Sequence, residues 1–476
     1  MFHARLASLG VPLNQKINLK EAVITDNLNE ILLAYVTKHN FNVLDSKGNN
    51  LLHLAAEKGN KSSCRALCVF GEEHELWAQK NSAGKTPLDL AHIRVRRDLL
   101  SCSAKSTLKR THHSSVNTAL VEEKLKKPPN ENERGLLSLD GGGIRVLVEC
   151  GILLAIEREM GESLIERVHW IGGTSCGGLL AGSLGAGYTL SESRNMFLTT
   201  REFVFCGNNK TFPKHSSDGI EQVLKTVIGA KTAIKGLNCH KVMVTATRAN
   251  SAPPTLVLFR SYAPRIEVKE AESLGYLNPE KIIIWKALRC TSAAPTYFPS
   301  YKGLVDGALF FNNPSIALLT DFFKLKKIEQ FRGIKNDDKI GCFLSIGTGN
   351  EPLTPIGNID VNFSALTIGH HLRENLANAK NFVTLCLYQC VTSQDIHVGQ
   401  AREWLHSLGI PYFRFSPRLL KAVDLDTTKL PDIFDLMFDT MIYTRTTARQ
   451  EIIEVAKILK TIPKNAKPEL YKSMNQ

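Results

Sequence analysis

"VHWIGGTSCGGLLAGSLGAG", residues 168–187, places Ser175 among glycines and beside Cys176. No residue from Trp170 to Ser191 is charged. A membrane span, a flexible loop and the seat of a nucleophile would all fit that description. At about 20 residues the run is long enough to cross a bilayer. Seven of its residues are glycine, however, and Leu, Ile, Val and Phe are few. Transfer into lipid would therefore gain little. The pentad Gly173-Thr174-Ser175-Cys176-Gly177 is more informative, because it fits G-x-S-x-G. In a nucleophile elbow the serine sits on a sharp strand-to-helix turn, and glycines two residues to either side let backbones approach closely. "VHWI" reads as the strand before it and "LLAGSLGAG" as a small-residue helix after it. Burial of a central strand and of the helix behind it then accounts for the missing charge. Cys176 is read as a packing residue at the turn.

The surrounding pattern supports a layered α/β fold. "GLLSL", "RVHWIGG", "KVMVTATRA", "PTLVLFRSY" and "KIGCFLSIGTG" read as strands. "LVECGILLAIEREM", "GIEQVLKTVIG" and "IIIWKALRC" read as helices between them. Such alternation over roughly 200 residues predicts a largely parallel sheet with helices on its faces. A helical C-terminal stretch, residues 430–460, is expected to pack on the outside of the sheet.

Two further motifs bear on chemistry. Asp140-Gly141-Gly142-Gly143-Ile144-Arg145 follows the strand "GLLSL". Consecutive glycines leave backbone N–H groups unobstructed, and at a helix N-terminus they stabilise negative charge. Acyl transfer needs such donors for its tetrahedral oxyanion, at roughly 3 kcal/mol each. A dinucleotide-binding G-x-G-x-x-G fails, because Val146 stands where its last glycine belongs, and no Walker motif occurs. Asp306-Gly307-Ala308 precedes "LFFNNP". Alone, an Asp-Gly is usually a turn.

Before these motifs lies a different kind of chain. "KGNNLLHLAAEKGN" (47–60) and "AGKTPLDLAH" (83–92) each carry a glycine turn followed by a Leu-x-Leu-Ala helix start. They resemble ankyrin repeats, whose period is about 33 residues. Residues 101–134 are polar and basic and contain two prolines, which reads as a linker. The expected organisation is an ankyrin-repeat-like helical segment over 1–100 and a linker over 101–134. A catalytic domain over 135–415 and a helical extension over 416–476 follow.

Taken together, "DGGGIR", "GTSCG", "DGA…NNP", "SAAPTYFP" (292–299) and "LSIGTG" (344–349) resemble the patatin-like phospholipase family. With the N-terminal repeats, the chain is most similar to the ankyrin-containing, calcium-independent group VI phospholipases A2. The resemblance implies a three-layer α/β/α catalytic domain and a Ser–Asp dyad, with Ser175 as nucleophile and Asp306 as its base. It also implies oxyanion N–H donors from Gly142 and Gly143, with Gly141 as neighbour and Gly173 and Gly177 shaping the elbow. Asp140 would orient the glycine loop. Arg145 is a candidate phosphate contact, with a structural salt bridge as the alternative. The activity implied is cleavage of glycerophospholipid acyl esters through an acyl-serine, with no cofactor and no metal. Neutral-lipid lipase, lysophospholipase and acyltransferase chemistry on the same dyad are alternatives, as is a catalytically dead scaffold. Val146 departs from the family, which usually has glycine there.

Composition sets the partners. The net charge of +13 favours an anionic surface. No nucleic-acid-binding motif is present, so the expected partner is a phospholipid membrane, with room for a homo-oligomer and an ankyrin-mediated protein partner. The eleven cysteines show no zinc spacing and suit a reducing compartment. "MFHARLASLGVPLNQ" lacks the apolar run of a secretory signal. The expected location is cytoplasmic and peripherally membrane-associated. The basic, acid-free start leaves room for mitochondrial association.

Overall fold

A computed structural model describes residues 2–13, 15–104, 112–207, 213–237, 240–352 and 396–465, with a few positions between 353 and 395. Seven strands form one sheet: β1 (Glu133–Leu139), β2 (Val168–Gly173), β3 (Lys241–Arg248), β4 (Thr255–Arg260), β5 (Leu304–Asp306), β6 (Lys339–Ile346) and β7 (Tyr412–Phe415). Their order is β4-β3-β2-β1-β6-β7, with β5 also paired to β3. The β1, β2, β3, β6 and β7 pairings are parallel, whereas β4 and β5 run antiparallel to β3. The sheet is thus mixed. The antiparallel β5 is too short to show a period in the sequence, and its place is set by pairing Ala246 with Asp306.

Strand alternation feeds two cores. Leu137, Leu139, Ile171, Val242, Val244 and Leu344 point into one. Leu136, Trp170, Met243, Phe343 and Tyr412 point into the other. Burial on both faces is why these strands read as continuous apolar runs. Helices Val146–Met160, Ser175–Gly185 and Ile284–Thr291 cover the first face, and Ser315–Phe331 and Ile396–Ser407 cover the second. Among the described residues no helix is long and apolar enough to cross a membrane. The uncharged stretch around Ser175 is a buried strand and a buried helix.

Two expectations are corrected. The C-terminal helices Leu430–Arg445 and Arg449–Thr461 do not lie on the strands. They pack on Val146–Met160, and the first also packs on Lys61–Phe70. They form a further layer that joins the N-terminal helices to the rest. Arg65 expresses this join: it pairs with Asp98 at 2.8 Å and with Asp435 at 2.8 Å. One continuous core accordingly runs from Phe2 to Ile462.

The stretch expected as linker contains a helix, His112–Leu125. Its polar residues are not all solvated. Asn117 Oδ1 accepts the Tyr412 N–H at 2.8 Å, and the Thr118 hydroxyl donates to Glu454 at 3.2 Å. Val121 is buried beside them. Composition pointed to a linker because these buried polar groups find distant partners. In the helix Ser315–Phe331, which packs on the second face, Asp321 is buried and pairs with Arg260 at 2.9 Å. Phe331, at its end, is exposed.

Helices Leu51–Lys58 and Pro87–Leu90 start alike. Asn50 and Thr86 each close a capping box, and Pro87 occupies the first turn of the second helix.

Candidate active site

β2 ends at Gly173, and the helix Ser175–Gly185 begins at once. Ser175 takes φ of +54°, a left-handed conformation that costs a non-glycine residue on the order of 1–3 kcal/mol. It is held there by its N–H, which donates to Thr291 Oγ1 at 2.8 Å, and by the Thr174 N–H bond to the Leu139 carbonyl at 3.1 Å. A side chain at Gly173 would come within 2.4 Å of the Gly177 carbonyl. One at Gly177 would come within 2.4 Å of the Asp140 carbonyl. The glycine spacing therefore marks two backbone collisions avoided around one strained serine. Cys176 is buried, which pushes its thiol pKa well up. It is not a thiolate nucleophile at neutral pH.

Asp306 closes β5 and reaches Ser175 from the other side. The Ser175 side chain lies close enough to its carboxylate to lower the Asp306 pKa. Asp306 Oδ1 also accepts the Ala308 N–H at 2.9 Å. The residue is only 2% exposed. Burial outweighs the lowering influence of Ser175 and of the Ala308 N–H and pushes its pKa up to about 7. Gly307 lets this turn lie against β3, since a side chain there would meet Thr245 Oγ1 at 2.1 Å. Thr245 Oγ1 in turn lies 2.8 Å from Thr174 Oγ1, so one hydroxyl pair ties the elbow to β3 beside the Asp-Gly turn.

The glycine loop follows β1. The Gly141 N–H donates to the Asn312 carbonyl at 3.1 Å and the Ile144 N–H to the Leu425 carbonyl at 2.8 Å. The Gly142 N–H lies near the Cys176 sulfur, a weak acceptor, whose pKa it helps to lower. The Gly143 N–H has no partner among the described residues. The two donors left open or weakly engaged are thus those of Gly142 and Gly143. Gly143 has φ of +59°, and a side chain on it would meet the Leu425 carbonyl at 2.2 Å. Val146, where family members usually have glycine, enters its helix at φ of −52° and strains nothing.

Asp140 is fully buried and does not contact Ser175. Its carboxylate is clamped by Arg414 at 2.7 Å and by the Asn313 amide at 2.6 Å. Its N–H donates to Glu149 Oε1 at 2.7 Å. Burial and the neighbouring Asp140 push the Glu149 pKa well up. Arg145 is buried and pairs with Glu351 at 2.7 Å. At least one of its donors is therefore committed to the protein.

Ser175, Asp306, Gly142, Gly143 and Arg145 share one cavity of about 580 Å³. Its walls are mostly apolar and include Leu179, Met196, Phe197, Ile220, Val227 and Ile228. No histidine lines it among the described residues. His397 packs edge-on against Phe311, and His406 lies in the same outer helix. His370 and His371 lie outside the described residues.

The sequence pattern described as "Patatin-like phospholipase" matches residues 137–319. That span contains the glycine loop, the elbow and the Asp-Gly turn. Residues 137–319 are a patatin-like phospholipase domain. Similar proteins include the "Intracellular phospholipase A2" of Caenorhabditis elegans, 29% identical over 406 residues, covering 85% of this chain and 35% of that protein. The "85/88 kDa calcium-independent phospholipase A2" of Rattus norvegicus is 30% identical over 315 residues, covering 65% and 38%. The human "Calcium-independent phospholipase A2-gamma" is 26% identical over 343 residues, covering 68% and 40%. The chain thus spans between about a third and two fifths of these relatives.

Sequence reasoning missed several residues that support the patatin-like domain. Arg414, Glu149, Thr291 and Asn313 all hold the loop or the elbow. Arg414 lies 274 positions from Asp140, and no local pattern links the two. "NNP" was visible as a motif, and its second asparagine is the one that clamps Asp140.

Proposed function

We propose that the chain is a calcium-independent phospholipase A2-type acyl hydrolase working through a Ser175–Asp306 dyad. The observation that carries this reading is a strained serine beside a buried carboxylate, both lining one mostly apolar cavity. Asp306 takes the Ser175 proton as Oγ adds to the ester carbonyl. Negative charge builds on the carbonyl oxygen. The Gly143 N–H is ready to receive it, and the Gly142 N–H beside it is the second donor. The N-terminus of the helix Ser175–Gly185 adds its dipole. Collapse breaks the ester bond, and Asp306 returns the proton to the leaving lysophospholipid oxygen. Water, deprotonated by Asp306, then adds to acyl-Ser175 and releases the fatty acid. The printed names of the relatives agree with this substrate class. Comparing fatty-acid release from a defined phospholipid with that from a triacylglycerol tests it: triacylglycerol cleaved faster would replace the phospholipase with a neutral lipase.

Backbone donors do the work a cation would otherwise do, so turnover should persist in excess calcium chelator. Loss in chelator with recovery on added calcium contradicts this. The dyad also needs no histidine. Alanine at His370, His371, His397 or His406 should each leave activity within about tenfold, against the roughly 10⁴-fold loss on removing a triad member. One such variant that is folded yet inactive would make the site a triad.

The proposed partner is an anionic bilayer met from the cytoplasmic side. Each surface-facing basic residue contributes about 1 kcal/mol of attraction, screened beyond about 10 Å at moderate salt. Vesicle sedimentation should rise with acidic lipid content and fall with salt, and indifference to both would rule the surface out. The paired helices capped by Asn50 and Thr86 support an ankyrin-like reading of the N-terminal segment.

A further inference from the structure

At the other end of the strands a second cavity, of about 780 Å³, opens beside the starts of β1, β2 and β3. Strand β1 is seven residues long, which puts this cavity about 20 Å from Ser175. Five charged side chains line it: Arg134, Lys235, Lys241, Glu280 and Asp338. Four are committed to one another. Arg134 pairs with Asp338 at 2.8 Å, and Lys235 pairs with Glu280. Lys241 is left over. It has no ion-pair partner among the described residues, and its ammonium lies 4.6 Å from the centroid of the Trp170 ring.

A part-buried ammonium with no ion pair at contact distance is costly, and the aromatic face and the more distant Asp338 and Glu329 carboxylates offset only part of that cost. Burial accordingly pulls the Lys241 pKa down. His240 lies on the same wall and is only 8% exposed. Its Nδ1 is within reach of two groups of opposite character, the Val168 carbonyl at 2.9 Å and the Asn465 amide nitrogen at 3.2 Å. Its Nε2 has no partner among the described residues. Burial pulls the His240 pKa down to about 4, so the ring is neutral. The tautomer that serves the Val168 carbonyl leaves Nε2 a lone pair, and the one in which Asn465 donates to Nδ1 puts the proton on Nε2 and makes it a donor. One cation without a contact ion pair and one ring of adaptable tautomer thus share a cavity whose acids are already paired with other cations.

We propose that this cavity binds a small phosphorylated anion through Lys241 and His240. The phosphoryl group would supply the missing counter-charge for Lys241 and accept a hydrogen bond from His240 Nε2. The volume leaves room for an organic group beyond the phosphate. The site is independent of the Ser175–Asp306 reading, because it shares no residue with the catalytic cavity.

Calorimetric titration of the full chain tests this with inorganic phosphate and with glycerol 3-phosphate, at ionic strength matched with chloride. At least one should bind saturably, and Lys241→Met should weaken it about tenfold or more, as expected for loss of a charge-assisted contact. His240→Ala should weaken it by a smaller factor. Lys241→Arg keeps the charge, so it should retain binding if Lys241→Met fails to fold. Equal affinity for the two probes assigns the site to free phosphate, and tighter glycerol 3-phosphate assigns it to phosphomonoesters. Hydrolysis of a short-chain ester should be unchanged in each folded variant. Absence of saturable binding by both probes overturns the proposal. So does wild-type affinity in both Lys241→Met and His240→Ala.

Discussion

Ser175→Ala should lower ester hydrolysis by about 10⁴-fold or more and leave the fold in place. The loss is large because Oγ is the atom that becomes acylated, and no second nucleophile stands beside it. Cys176 is the nearest thiol in sequence, and its burial keeps it protonated. The fold should survive because the elbow is held by backbone contacts that alanine keeps. The Ser175 N–H still reaches Thr291 Oγ1, and the Gly173 and Gly177 approaches are unchanged. Alanine also tolerates φ of +54° no worse than serine does. Rates on a defined phospholipid, with circular dichroism on the same preparation, check this. A folded variant that keeps more than a few per cent of wild-type activity contradicts it.

Asp306→Asn should be comparably inactive, and it should change stability in the opposite sense. Asp306 works as a base only when ionised, and burial holds its pKa at about 7. Wild-type activity should therefore climb as pH rises through about 7 and level off above it. For stability, the folded pKa lies above the unfolded value of 3.8. The favourable contribution of the protonated group is complete below pH 3.8 and is lost as pH rises to about 7. At pH 8 the wild type thus carries a buried charge that costs a few kcal/mol, and asparagine removes it. Asp306→Asn should melt higher than wild type at pH 8, with the gap narrowing towards pH 4. Thermal scans and pH–rate profiles measure both. An activity flat from pH 6 to 8, or a variant less stable at pH 8, would show that Asp306 is not a buried base with a raised pKa.

The parts of the site that were legible in the sequence are those that forbid side chains. Gly173, Gly177 and Gly143 each avoid a collision near 2.4 Å or closer, and such collisions leave a mark that one sequence can show. Asp306 was visible only in company, since an Asp-Gly turn has no chemistry of its own. The clamp on Asp140 was invisible. Arg414 sits on an edge strand of four residues, and its partner is reached only through folding. Glu149 carried no motif of its own, yet it is buried and accepts the Asp140 N–H. The layered architecture followed from apolar strand runs. The helix at residues 112–125 did not, because its polar residues satisfy partners far along the chain.

Trapping the covalent intermediate tests the Ser175–Asp306 dyad most directly. A fluorophosphonate ester carries a phosphoryl oxygen that mimics the developing oxyanion and leaves a stable adduct on an activated serine. Tandem mass spectrometry of the labelled full chain should place a single adduct on Ser175, with labelling slowed by at least about 10²-fold in Asp306→Asn, as expected when a general base is lost. An adduct on another residue, or labelling of Ser175 at the wild-type rate in Asp306→Asn, would contradict the dyad.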